Sequence, residues 1–394
     1  MIVLAIILIL LPIFIKNNRV LKPKKKMNSF CFLIPARDES RVIEELIKSI
    51  FNQTVYVNPK DIYVIVENEN DPTVHINQKY GIKTIIRKNF KIKTKGGALD
   101  EALRSINKKY DAYFIMDADN VLDKNFVSEM QKSYTEGYDI AIGYRNAKNG
   151  NDSLIAGASV LTFSLLNTVL NKEKQKNNKN VTISGTGFYI SRNILNKFEG
   201  YPFYSLTEDY ELTLYSILNN ISVGYNEKAI FYDEQPIIYK NTINQRKRWI
   251  KGYFQNRKKY VPLIRKNKDV SVQAKLETLI GVIPYILLVI SIIYWSIYFI
   301  VNKKYLINII ILLTIYIILM LVTYLILKMD NKLLLSKKMK RELLFFHPFY
   351  LLSYIHIALL VLISPNVTWD KVNHTRNVKL KNNWFLVLNW LTNI

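Results

Sequence analysis

The chain has 394 residues, 49% of them hydrophobic, and carries a net charge of +24 from 55 basic and 31 acidic side chains. That length allows one large domain or two ordinary ones, and strong apolarity combined with strong basicity excludes intrinsic disorder and fits no average soluble protein. Long uncharged runs argue against a nucleic-acid binder and leave a membrane surface as the expected anionic partner. The single cysteine, Cys31, excludes an intramolecular disulfide or a thiolate metal cluster, and histidines at 75, 347, 356 and 374 are too far apart for a histidine-rich site. Any metal is therefore expected to be a hard ion held by carboxylates.

Residues 1–15 carry no charged side chain and run into Lys16, Arg19, Lys22 and Lys24–Lys26. A cleaved signal peptide has the reverse order, so this segment is expected to be an N-terminal membrane anchor with a cytoplasmic basic flank, helped by tilt or local thinning because it is short. Residues 28–240 follow as one cytoplasmic domain. Within it the pattern predicts strands over 30–35, 61–66, 82–87 and 111–116 and helices over 41–51, 96–107 and 123–136. A further short strand is expected at 181–183 (VTI). Apolar runs separated by helical stretches predict an α/β fold with a mainly parallel, doubly wound sheet.

Beyond the domain, 241–275 reads as an amphipathic interface region: Trp249/Tyr253 and Ile250/Phe254 form an i,i+4 stripe on a basic helix. Residues 279–301 and 305–327 are uncharged, and each is long enough to cross about 30 Å of hydrocarbon at about 1.5 Å per residue. They are expected to form a transmembrane hairpin. Basic residues outnumber acidic ones by twelve to one over 240–275 and six to one over 328–341, which puts both flanks in the cytoplasm. The run 343–364 contains His347, Pro348 and His356. It is expected to lie in the interface or re-enter the bilayer, with a full crossing as the alternative, and 365–394 forms a loop and tail.

Ligands of doubly wound sheets bind beyond the carboxyl ends of the strands. Those positions hold Pro35-Ala36-Arg37-Asp38-Glu39, Glu67-Asn68 and Asp117-Ala118-Asp119. No Gly-x-Gly-x-x-Gly and no phosphate loop follows the first strand, which disfavours a dinucleotide or P-loop site. Two carboxylates at i and i+2 after a hydrophobic strand can put one group on a sugar hydroxyl and the other on a divalent cation that neutralises a diphosphate. Further on come Ser184-Gly185-Thr186-Gly187, then Thr207-Glu208-Asp209, where Thr207 could serve as an ordinary helix N-cap, then Gln245-Arg246-Lys247-Arg248-Trp249.

Taken in order, the Pro35–Glu39 turn, Glu67, Lys95-Gly96-Gly97-Ala98-Leu99, Asp117-x-Asp119, Thr207-Glu208-Asp209 and Gln245-x-x-Arg248-Trp249 resemble the motif set of membrane-embedded family 2 glycosyltransferases. These include cellulose, chitin, hyaluronan and poly-N-acetylglucosamine synthases. SGTGFYISR, LTEDYELT and FYDEQP look most like bacterial N-acetylglucosaminyltransferase-type members. The resemblance implies a glycosyltransferase A-type, nucleotide-sugar-binding domain between N- and C-terminal transmembrane helices, in a multi-pass protein of the cell membrane.

Carried over by that resemblance, Pro35, Arg37, Glu39, Glu67, Lys95 and Asp117 would bind the nucleotide sugar, and Asp119 the metal, Mg2+ or Mn2+. Arg37 stands where an aromatic often stacks on uracil, and Glu67 where an Asp is usual. Asp209 would be the general base, with Glu208 shaping the acceptor site, and Gln245, Arg248 and Trp249 would hold the diphosphate and the acceptor sugar. Trp369, His374 and Thr375 resemble a gating loop at the cytoplasmic mouth, which favours an interfacial 343–364.

The implied reaction transfers a sugar, N-acetylglucosamine or glucose, from a UDP-sugar to a growing polysaccharide with inversion, giving a β-linkage. Alternatives are single-sugar transfer to a lipid-linked acceptor, or an inactive membrane component that binds sugar or nucleotide. Three spans are few for a channel, so self-association or an accessory subunit is part of the expectation.

Overall fold

The structure is a computed structural model that describes residues 16–363 apart from 18 and 282, and not the side chain of residue 285. The expected anchor over 1–15 and the loop with Trp369, His374 and Thr375 lie outside the described residues. Strand β1 (Phe30–Pro35) pairs in parallel with β2 (Ile62–Val66) and β4 (Ala112–Ile115), and β2 with β3 (Lys83–Ile86). β5 (Val121–Leu122), β6 (Ile140–Ala147), β7 (Phe188–Ser191) and β8 (Val223–Asp233) complete an eight-stranded sheet of order β3-β2-β1-β4-β7-β6-β8-β5.

The sheet is mixed, which corrects the mainly parallel expectation. β7 runs antiparallel to both β4 and β6, and β5 runs antiparallel to β8. The predicted strand at 181–183 is also corrected: this stretch is not a strand of the sheet, although Val181 N donates to Val223 O of β8 at 3.3 Å, and Ile183 N donates to Thr213 Oγ1 at 3.1 Å. The sheet strand begins five residues later, at Phe188.

Period-2 alternation sorts the core onto two faces. Phe32 and Ile34 of β1 pack with Val64, Phe114 and helix α1 (Ile43–Phe51) on one side. Cys31 and Leu33 pack with Ile65, Ile115 and helix α2 (Lys95–Ser105) on the other. Both faces are buried because helices cover both, so β1, β2 and β4 read as continuous apolar runs.

Among the described residues three helices are long and apolar enough to cross a membrane: α3 (Leu154–Lys176), α4 (Tyr305–Met329) and α5 (Lys337–Ile363). Of the expected hairpin, the first arm is the shorter helix α6 (Ile283–Val301), preceded by a break at Gly281. α3 was not foreseen, and half of it is buried against the rest of the protein. Its Ala158 and Leu161 form a third core with Ile326, Met339 and Leu343, which packs α3, α4 and α5 together. Tyr144 of β6 donates to Asp330 Oδ2 at 2.6 Å, and Asn146 Nδ2 donates to Lys332 O at 2.7 Å. The apolar helices are thus tied to the sheet by buried polar contacts as well as by packing.

Candidate active site

A cavity of about 1000 Å³ opens at the carboxyl ends of the central strands. Its wall includes Pro35, Arg37 and Glu39 after β1, Glu67 after β2, Lys95 opening α2, Asp117 and Asp119 after β4, Glu208 and Asp209, and Gln245, Arg248 and Trp249. The structure therefore brings together every predicted site residue that falls within the described residues. They come from segments more than 200 positions apart in the chain, from Pro35 to Trp249.

At one end of the cavity Arg37 Nε lies 3.2 Å from Glu67 Oε2, so the two residues expected near the base form an ion pair. The turn between them and the sheet is fixed: Asp38 adopts φ 55°, its N–H donates to Asp71 Oδ2 at 2.9 Å, and Glu39 N donates to Thr73 Oγ1 at 3.1 Å.

In the middle, Asp117 N donates to Thr186 Oγ1 at 2.8 Å, and the Asp117 carboxylate accepts from Lys95 Nζ. Lys95 Nζ also donates to Gly185 O at 2.8 Å. Burial opposes the lysine charge, but Asp117 and then Glu208 outweigh it, so its pKa is raised and the ammonium is retained. The Ser184–Gly187 turn needs its glycines: Gly185 and Gly187 have φ 81° and 71°, and a Cβ on Gly187 would sit 2.1 Å from the Phe231 ring.

Asp119 is buried; its Oδ2 accepts from Glu234 N at 3.0 Å and its Oδ1 from Asn120 Nδ2 at 3.2 Å. Beside it Asp233 is 2% exposed, and its Oδ1 is buried with no hydrogen-bond partner. Burial raises the Asp233 pKa, the Arg145 charge opposes that shift, and Asp119 adds to it. Among the described residues no three His, Cys, Asp or Glu side chains gather as a metal group. The all-oxygen donors here still suit a hard cation, with a ligand's phosphate oxygens completing the shell.

Helix α7 (Glu208–Leu218) starts at the acid pair. Burial, then the Asp209 charge, pushes Glu208 up to about 7 against the pull of Lys95 and Arg248. Asp209 is also raised by burial, opposed by the Tyr210 N–H that its Oδ1 accepts at 2.8 Å and then by Arg248. A carboxylate with a raised pKa and room in front of it is a competent proton acceptor near neutrality.

Helix α8 (Tyr239–Lys266) presents Gln245, Arg248 and Trp249 to the cavity. Trp249 meets the Phe163 ring edge-on at 6.0 Å, and the Arg145 guanidinium lies 3.9 Å from that same ring. Arg145 also binds Asp233 at 2.5 Å and donates to Ser184 O at 2.9 Å. Sequence reasoning missed Arg145, Phe163 and Asp233. The only available signal was FYDEQP, whose Asp233 ends β8, a strand end facing the cavity.

Comparison with known proteins places the family and the fold. Residues 28–252 match the model of the family described as glycosyltransferase like family 2. A curated relative, the probable glycosyltransferase YdaM of Bacillus subtilis (strain 168), is 29% identical over 252 residues, 58% of this chain and 56% of its own length. The chain therefore matches little more than half of that relative. Among solved structures, the mannosyltransferase PcManGT from Pyrobaculum calidifontis, in complex with GDP-Man and Mn2+, superposes with a TM-score of 0.61 at 12% identity, covering 93% of this chain and 99% of that one. That likeness extends the shared fold past the matched domain into the apolar helices. With more than half of its length matched by the family model and the motif residues gathered in one cavity, the chain belongs to glycosyltransferase family 2.

Proposed function

We propose that the protein is a membrane-integrated inverting glycosyltransferase that moves a hexose from a UDP-sugar, N-acetylglucosamine or glucose, to a growing polysaccharide, forming a β-linkage. One observation carries this reading. A single cavity holds a cation-paired carboxylate (Asp117 with Lys95), an acid pair with raised pKa (Glu208, Asp209), and Arg248 with Trp249 from helix α8.

Asp117 and the Arg37–Glu67 pair would hold the nucleoside. Asp209 would take the proton of the acceptor hydroxyl as attack develops, because a neutral hydroxyl is a poor nucleophile. Arg248 and Lys95 would balance the charge that builds on the departing diphosphate. Asp119 would hold Mg2+ or Mn2+, and the bound ion would supply further charge neutralisation to that group. One base and one displacement give inversion at the anomeric carbon.

Arg248 and Trp249 within the Gln-x-x-Arg-Trp motif support elongation of a polymer over addition of one sugar to a lipid-linked acceptor. The exposed apolar surfaces of α4 and α6, including Leu306, Ile310 and Ile297, support a bilayer around them and a cell-membrane location with the catalytic domain cytoplasmic. An interfacial 343–364 would keep Trp369, His374 and Thr375 beside the cavity. A crossing would put them on the far side, and labelling of a cysteine at position 374 by an impermeant reagent decides between the two.

The test is to incubate purified protein with radiolabelled UDP- and GDP-sugars and size the product. Polymer from a UDP-sugar supports the proposal, a product one sugar long defeats elongation, and turnover of GDP-sugars alone defeats the donor assignment.

A further inference from the structure

Thr207 stands at the N-cap position of α7, yet its side chain caps nothing in its own helix. Its hydroxyl is instead held from α8, and so is its carbonyl, which also accepts from Glu211 N of its own helix at 3.0 Å. Asn256, 1% exposed, places Nδ2 3.0 Å from Thr207 O, 3.0 Å from Thr207 Oγ1 and 3.0 Å from Ser205 Oγ. A carbonyl only accepts, so the amide must turn its N–H2 toward the turn, and its buried oxygen is left without a donor.

One turn earlier, Gly252 leaves the gap in which Thr207 sits: a Cβ there would meet Thr207 Oγ1 at 2.4 Å. The same side of α8 continues the grip. Tyr253 stacks on Tyr210 at 4.9 Å, while Lys259 Nζ and Tyr260 OH donate to the buried Glu211 carboxylate at 2.7 and 3.1 Å. Glu211 Oε2 in turn accepts from Ser205 N at 3.1 Å.

The acid pair Glu208–Asp209 follows Thr207 directly, and α8 also carries Gln245, Arg248 and Trp249 about two to three turns upstream of Asn256. A rigid helix rises about 1.5 Å per residue, so it fixes the separation of whatever is attached along it. We propose that Asn256, seated by Gly252, is a positioning residue. It anchors the Thr207–Asp209 turn to the helix that bears Arg248 and Trp249, and so sets the distance between the proton-accepting carboxylate and those two side chains. This rests on the glycosyl-transfer reading above and adds to it residues that touch neither donor nor acceptor.

Two variants disturb this contact in opposite ways. Asn256→Ala removes the donor and leaves space. Gly252→Ala keeps the amide but pushes Thr207 away, and alanine favours helix, so a loss cannot come from a weaker α8. The control is Asn267→Ala, which removes a similar bridge between the same two helices, Asn267 Nδ2 to Leu218 O at 3.0 Å, at the end of α7 remote from the cavity.

The readouts are kcat and donor KM in a transfer assay, UDP affinity by calorimetry, and thermal unfolding. Misplacement of a reacting group by about 1 Å costs on the order of 100-fold. Asn256→Ala and Gly252→Ala are therefore expected to lower kcat roughly 10- to 100-fold with donor KM and UDP affinity within about twofold of wild type. Asn267→Ala should lose thermal stability while keeping its kcat. Wild-type kcat in Asn256→Ala, or UDP affinity that falls in step with kcat, overturns the proposal while leaving the transferase reading intact. A wild-type protein that transfers no sugar overturns the parent reading, and this one with it. If Asn256→Ala does not fold, Gly252→Ala decides alone, since a full kcat there contradicts the positioning role.

Discussion

Arg145 and Asp233 meet at 2.5 Å in the cavity wall, joining the strand that ends beside Asp119 to the ring of Phe163, on which Trp249 leans. Neither partner is surrounded by water, with side chains 13% and 3% exposed. Removing one member of such a pair leaves an uncompensated buried charge, which costs on the order of 3–5 kcal/mol. Arg145→Met is therefore predicted to lower stability by about that amount in denaturant unfolding. Asp233→Asn, with Arg145 still held by Ser184 O, should also destabilise. A double variant less destabilised than the sum of the two would identify the pair as the source.

The pH dependence follows from the acid pair. A proton acceptor works only when ionised, and burial raises the pKa of Asp209, the assigned acceptor, beside a Glu208 itself pushed up to about 7. Turnover should rise with pH as Asp209 loses its proton. Arg248→Met removes a cation that favours the ionised pair, so the rising limb should move to higher pH. Stability runs the other way: between 4.5, the ordinary glutamate value, and about 7 the folded protein holds a proton that the unfolded chain has lost. Unfolding free energy should thus fall with increasing pH across that window, and Glu208→Gln should flatten the slope.

Lys95 bonds both Asp117 and Gly185 O, and its charge favours the ionised acid pair, so its loss should loosen the donor side and raise the pKa of Glu208 and Asp209 further. Lys95→Ala is predicted to weaken UDP binding roughly tenfold or more, the worth of a hydrogen bond to a charged group. Calorimetry with UDP alone measures this without any transfer.

Much of this site was legible because parallel strands end on one edge of the sheet. Once FCFLIP, DIYVIV and DAYFIM are read as such strands, Arg37, Glu67, Asp117 and Asp119 must share that edge. Arg145 was not legible, since one arginine inside a strand has no spacing signal, and only the tertiary path of α3 puts Phe163 over it. The antiparallel β7 was hidden for a related reason: it is inserted between β4, three strands earlier, and β6, from which the long helix α3 separates it in sequence. In α3, Gly157, Ser159, Thr162 and Ser164 dilute the apolar run, yet Ser164 Oγ donates to Asp330 in a buried contact that joins this helix to the apolar hairpin.

Arg246, the residue between Gln245 and Lys247, does not line the cavity. It is fully buried, donates through Nη1 to Ser353 Oγ at 2.9 Å, and lies 4.3 and 4.8 Å from the rings of Tyr350 and Tyr354. It clamps α8 to α5. A desolvated cation over an aromatic ring is worth about 2 kcal/mol. Arg246→Met should therefore lower the unfolding temperature in detergent and make α5 more open to proteolysis, with UDP affinity retained.

The most direct measurement compares wild type with Asp209→Asn in membranes supplied with radiolabelled UDP-N-acetylglucosamine and UDP-glucose, following both labelled product and released UDP, with UDP binding measured in parallel. Wild type should release UDP and accumulate labelled product from one of the two donors. Asp209→Asn should bind UDP nearly as tightly and make no product. Product formation by Asp209→Asn at the wild-type rate, or no transfer by wild type from either donor, would contradict the account.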